Sequence, residues 1–372
     1  MMSTSVELFS DSTRSVFANL DQRSKSHLIN VFWPHIQLTE INFVSDDYIV
    51  FFDFIGKTLQ DLRRHAAHYA DQQLDDLLAT IEKLRKDHEM TRSEIVAAVQ
   101  RDHINVDEKL IRCSIELAAY LWSGIYIRSK DSTVGNQVSQ ETRINWPSDQ
   151  SLARAIAECF KVEKPRSSGK GLALDGSLTA IKLRDQRGVE IIWTDNLADH
   201  LKLHGQRKDR SLTVFRQKSL LINHRLAANP IIPIEVLDEA VRTLDLLFPL
   251  GDEKTAAFLK TSGVHLNVAG ASSLQQAGAR TEFKYWKDEI LQLNRILEGP
   301  PETIGQTLRD TRNFGEFVTI WVAIFGVFIL TILFGILSTV YSVKQYLVAV
   351  KSYELSLALT CLENPTLDGF CT

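Results

Sequence analysis

Residues 317–343 read FVTIWVAIFGVFILTILFGILSTVYSV, with no charged side chain between Glu316 and Lys344. As an α-helix these 27 residues reach about 40 Å, more than the roughly 30 Å of hydrocarbon in a bilayer. Core helices of soluble proteins seldom run so far without a charge. The stretch therefore predicts one transmembrane helix over 317–343, long enough to cross with some tilt, followed by a short tail over 344–372.

Everything before the span has ordinary globular composition. The chain of 372 residues is 44% hydrophobic and 24% charged, so its N-terminal body is large enough to bury a core and to form one or two domains. A helical region over 1–128, a polar linker or loop over 129–150 and a mixed region over 151–312 are expected. The formal net charge of -4 neither draws in nor repels nucleic acid at this length. No apolar run of signal-peptide length occurs in the first 25 residues, because Asp11, Arg14 and Asp21 interrupt it. The body is accordingly expected in the cytosol, in tail-anchor topology. Arg309 and Arg312 before the span and Lys344 and Lys351 after it balance one another under the positive-inside rule.

Periodicity organises the body. Leu74, Leu77, Leu78, Ile81 and Leu84 fall three and four apart across 71–86 and predict an amphipathic helix. Thr91 and Glu94 form a capping box in front of Ile95, Val96 and Val99. From about Val106, Leu110, Ile111, Ile115, Leu117, Ala118 and Leu121 build a broad apolar side. A short helix is expected over 152–160. Residues 178–183 and 189–194 read as strands around the turn Arg184–Gly188, a β-hairpin pattern. Asp195 then caps an expected helix that Gly205 ends. A third strand is expected over 211–215 and a helix over 219–226. Pro233 opens a helix over 234–248, and further helices are expected over 253–260, 283–297 and 302–309. The fold class is mostly α with a small β-hairpin element, in a helical soluble body joined to a single C-terminal transmembrane helix.

Several phrases resemble an uncharacterised family of filamentous-fungal proteins. They are Asn196-Leu197-Ala198-Asp199-His200-Leu201, the run from Asp238 to Pro249, Tyr285-Trp286, and Asp310-Thr311-Arg312-Asn313 leading into Trp321-Val322-Ala323-Ile324 and Leu330-Thr331-Ile332-Leu333-Phe334-Gly335. The likeness covers the last half of the chain and, more loosely, the stretch from Ile115 to Trp122. Thr311 stands where that family usually has a second Arg. The resemblance implies a soluble N-terminal body, one C-terminal span and a fungal source, and it carries over no catalytic residue.

Few motifs carry chemistry. His200 and His204 lie four apart on an expected helix with Asp195 and Asp199 nearby, and His224 is a candidate third ligand, so these histidines are the metal candidates. Leu201 stands where a metalloprotease helix needs Glu, and capping or solvent-facing histidines are the plainer reading, so no metal is expected. His65 and His68 read as surface residues. The glycines of 167–171 and 174–177 lack the spacing of a phosphate loop. Neither a nucleotide nor any other cofactor is implied.

Cys113 and Cys159 read as buried reduced thiols. Cys361 and Cys371 lie in the tail, where a lumenal location permits a bridge and a cytosolic one does not. Lys202, Arg207, Lys208, Arg210, Arg216 and Lys218 form the densest basic stretch, read as a solvated loop or as a surface for anionic headgroups. It lacks the interleaved aromatics of a nucleic-acid site. Within the span, Thr331, Gly335 and Thr339 place small side chains on one face and allow self-association.

These features point to a membrane-anchored interaction or regulatory protein, with the bilayer as its first partner. The alternative is a membrane-surface enzyme acting on a lipophilic substrate, within a fungal metabolic pathway. A deep pocket with convergent polar groups favours the enzyme, and an exposed apolar patch favours the interaction protein.

Overall fold

The computed structural model describes residues 6–103, 105–128, 141–161, 178–206, 209–267, 283–299 and 314–363. By its contacts the chain divides into two compact units, Met1–Pro300 and Pro301–Thr372. The first is mostly helical, with two small sheets.

Helix α1 (Thr13–Ala18), α2 (Gln22–Phe32) and α3 (Ser45–Asp61) open the body. Asp21 caps α2 by accepting from the Ser24 N–H at 2.9 Å. The aromatic run of α3 puts Phe51, Phe52 and Phe54 fully inside. Gly56 lets α1 approach closely, since a Cβ there would meet the Arg14 Cα at 2.8 Å. Helix α4 (Leu74–Lys86) buries all five residues of the expected stripe. Helix α5 (Arg92–Gln100) begins at the complete Thr91/Glu94 capping box, and α6 (Glu108–Ser123) buries most of its length against α4 and α5.

Strands β1 (Ile127–Arg128) and β2 (Ile144–Asn145) pair in parallel. Within the polar stretch 129–150, of which 141–150 are described, Ile144 is therefore a strand residue and Trp146 is fully buried. Helix α7 (Leu152–Cys159) follows, and Cys159 at its end is exposed, unlike the buried thiol expected from sequence. Cys113 on α6 is buried as expected.

The next segment departs from expectation. Residues 178–183 are not a strand: Thr179 accepts from the Lys182 N–H at 3.2 Å and starts helix α8 (Ala180–Arg187), which Gly188 ends in the left-handed region. The pattern Leu178, Ile181, Leu183 fits either period, and the two caps decide for the helix. Strand β3 (Glu190–Thr194) forms as expected, but its partner is the parallel β5 (Ser211–Phe215). The antiparallel neighbour of β5 is β4 (Leu203–His204), giving the order β3-β5-β4. The hairpin element thus lies at 203–215, formed by β4 and β5.

Nor does a helix span 195–205. Leu197–Asp199 make one 3-10 turn, after which Leu201 and Lys202 pair with the backbone of Thr213. Asn196 and Asp199 bind neighbouring backbone N–H groups with their side chains and so compete with a helical ladder. Helices α9 (Lys218–Arg225), α10 (Ile234–Leu247), α11 (Glu253–Ser262) and α12 (Lys287–Glu298) complete the unit, close to their expected positions. The helix expected over 302–309 and the glycines of 167–171 and 174–177 lie outside the described residues.

The second unit holds α13 (Phe314–Glu363), one unbroken helix of 50 residues. It contains the expected span and continues well past Lys344 into the tail.

Candidate functional site

A cavity of about 210 Å³ opens in the body. Helix α3 faces it with Lys57, Thr58 and Asp61, and α6 with Cys113, Glu116, Leu117 and Tyr120, residues whose spacing places them on one helical face. Tyr69, Tyr126, Arg128 and Glu141 add to the wall, and the end of β3 supplies Trp193 and Thr194, followed by Asp195. Polar and aromatic groups from four separate stretches of chain therefore meet in one place.

Two of the carboxylates are held by buried or half-buried arginines. Asp195 accepts from Arg216 Nε at 2.7 Å and Nη2 at 2.8 Å, a bidentate pair, and from Gln217 Nε2 at 2.6 Å. Arg216 also reaches Asp53 at 3.1 Å, and Asp53 pairs with Arg14. Glu116 lies 3.6 Å from Arg92, and both are buried. Glu141 forms no hydrogen bond or ion pair with a described residue. Although it stands exposed at the mouth, desolvation by its surroundings, reinforced by Asp199 and Asp195, raises its carboxyl above the ordinary range.

Burial raises the phenols of Tyr69, Tyr120 and Tyr126, so all three remain protonated at neutral pH. At Tyr120 the neighbouring Asp195 and Glu141 add to the effect. Tyr120 and Tyr126 meet edge to face at 5.2 Å, and the Arg143 guanidinium sits 5.5 Å from the Tyr126 ring. The cavity thus offers neutral hydroxyls and carboxylates beside the cations Lys57 and Arg128, and among the described residues no histidine lines it to activate the Cys113 thiol as a nucleophile.

The histidines singled out in the sequence do not assemble. His200 is buried, with Nδ1 accepting the Phe215 N–H at 3.2 Å and Nε2 2.7 Å from the Thr243 hydroxyl. His204 is a partly exposed residue of β4, not a helical neighbour of His200. His224 is buried between Trp33 and Trp122 and donates from Nε2 to the Trp122 carbonyl at 2.8 Å. Among the described residues no three His, Cys, Asp or Glu side chains come together as metal ligands. His65 is half-buried and His68 exposed, their rings 6.1 Å apart.

Three residues of the basic stretch are tied into ion pairs and do not form a free cationic face. Lys202 pairs with Asp199 at 2.7 Å and Arg216 with Asp195, while Lys218 is buried against Asp245 at 2.5 Å. Arg207 and Lys208 lie outside the described residues. On α13 the Thr331 and Thr339 hydroxyls donate to the carbonyls of Val327 and Gly335 within their own helix, at 2.8 Å each. Beside Gly335 there is open space.

Sequence reasoning passed over the cavity. Its one local signal was the series Cys113, Glu116 and Tyr120, polar interruptions in the apolar side of α6. No protein family, curated protein or solved structure matches the chain.

Proposed function

We propose that this chain is a single-pass, membrane-anchored interaction or regulatory protein, akin to the filamentous-fungal single-span proteins it resembles, with its body on the cytosolic side. One observation carries the reading: residues Trp321–Leu362 of α13 are long and apolar enough to cross a membrane, and the most apolar 18-residue window of that helix has no buried residue. Such a surface is stable only in lipid or against a partner. Cys361 is disulfide-bonded, its partner lying outside the described residues. A bridge in the tail suits an oxidising lumen and so supports a cytosolic body. Ile41, Val44 and Ile49, exposed around the start of α3, supply apolar contacts of the kind partner proteins cover.

The second reading, a membrane-surface enzyme acting on a lipophilic substrate, is favoured by the cavity, where phenols and carboxylates converge. Protease treatment of intact vesicles tests the topology. The body should be digested and a C-terminal fragment protected, and a protected body reverses the orientation. Capture of the intact protein from membranes should bring down a stoichiometric partner; turnover of a lipophilic substrate without one would favour the enzyme.

A further inference from the structure

The cavity has features of a ligand site that the anchoring role does not require. Tyr69 is only 8% exposed as a residue and lines the cavity, and its hydroxyl bonds to no described residue, which leaves it free to meet a ligand there. Glu141 is likewise without a hydrogen bond or ion pair to a described residue and lies on the same wall. A carboxylate and a phenol oxygen both accept hydrogen bonds. Leu62, Leu117, Ile127 and Trp193 supply apolar wall between the polar groups. A volume of about 210 Å³ is below the range of drug-sized sites, roughly 300 to 1,000 Å³, and limits the occupant to a single ring or short alkyl body.

We infer that this cavity binds a small organic cation, a primary alkyl- or arylalkylammonium, with Glu141 as counter-ion, the Tyr69 hydroxyl as a second acceptor and the apolar wall around the hydrocarbon. Among the charged groups that line the cavity, Asp61, Glu116, Glu141 and Asp195 outnumber Lys57 and Arg128; desolvation raises the Glu141 carboxyl, and Asp199 and Asp195 reinforce the shift. An incoming ammonium relieves that repulsion. A metal ion does not satisfy the same site, because no three hard ligands converge there among the described residues. The inference is independent of the membrane reading, since it rests on the body alone.

Three probes of one shape test it: benzylammonium, benzyl alcohol and benzoate, titrated calorimetrically against the full-length protein in nanodiscs of zwitterionic lipid, with empty nanodiscs as reference. Benzylammonium should bind saturably and at least tenfold more tightly than benzyl alcohol, with benzoate weakest. Glu141→Gln should weaken benzylammonium at least tenfold, and Tyr69→Phe several-fold, with circular dichroism unchanged. If Glu141→Gln fails to fold, Tyr69→Phe and the order of the three probes decide. Benzoate or benzyl alcohol binding as tightly as benzylammonium would overturn the proposal, as would no saturable binding at millimolar probe or folded variants that bind like the parent.

Discussion

His200 has both ring nitrogens engaged, and the pattern fixes its tautomer. Since Nδ1 accepts the Phe215 N–H, the proton sits on Nε2 and is donated to Thr243, whose hydroxyl donates onward to the Ala240 carbonyl. Neither nitrogen is left for a metal. Burial holds His200 down to about 3 and His224 down to about 4. Both values lie below the roughly 6.5 of an unfolded histidine, so the unfolded chain takes up more protons and stability rises with pH. The stabilisation is complete above about pH 6.5 and is lost as the pH falls toward the folded values. Each histidine contributes a slope of up to about 1.4 kcal/mol per pH unit in that window. Denaturant titrations followed by tryptophan fluorescence should show a midpoint that falls with acid below neutrality, and His200→Gln should make that fall shallower. An acid slope identical in the variant would mean that His200 is not held neutral by burial.

Elements are joined here by charged side chains placed at helix ends. Glu239, buried in the middle of α10, accepts the backbone N–H groups of Lys284, Tyr285 and Trp286 at 2.7 Å each, at the start of α12. At the other end Arg187 of α8 donates to the carbonyls of Leu297 and Gly299. A negative group at the N-terminus and a positive one at the C-terminus match the helix dipole. Glu239→Ala leaves three N–H groups without their acceptor and should cost about 3 kcal/mol or more, read as a lower denaturation midpoint. A loss within about 0.5 kcal/mol, the size of an ordinary surface change, would show that water replaces the carboxylate freely. Neither contact is legible in sequence, because 45 residues separate Glu239 from Lys284 and 110 separate Arg187 from Leu297. What was legible was local: the stripe of α4, the capping box of α5, Pro233 ahead of α10 and the strand Ser211–Phe215. Residues 178–183 misled because a short apolar pattern fits both periods, and 195–205 because Asp195 looks like a helix cap, while its carboxylate is taken by Arg216 and Gln217 and the side chains of Asn196 and Asp199 serve a loop. The cavity was invisible for a third reason. Cys113, Glu116 and Tyr120 share a face of α6 in any reading, but only tertiary packing brings Tyr69, Glu141 and Asp195 to them.

At the scale of the molecule, the two units differ in how much apolar surface they leave exposed. Most of the apolar side chains described before Pro300 lie in one continuous core, whereas those of α13 from Trp321 onward are largely exposed. Its 50 residues would extend about 75 Å, well beyond the roughly 40 to 45 Å of a bilayer with its headgroups. On the proposed membrane reading, the charges at Lys344, Lys351 and Glu354 put the hydrocarbon-embedded part on their N-terminal side, since each would be costly at the centre of the membrane. Ile329 and Leu330 sit at the midpoint of the uncharged stretch 317–343 and are both exposed. Ile329→Arg with Leu330→Arg should cost about 5 to 7 kcal/mol of insertion free energy, at roughly 2.5 to 3.5 kcal/mol each. The doubly substituted protein should appear in the soluble fraction after carbonate extraction, with the body folded and its acid dependence intact. If it stays with the membrane pellet, another segment holds it there and the assignment of α13 as the anchor fails.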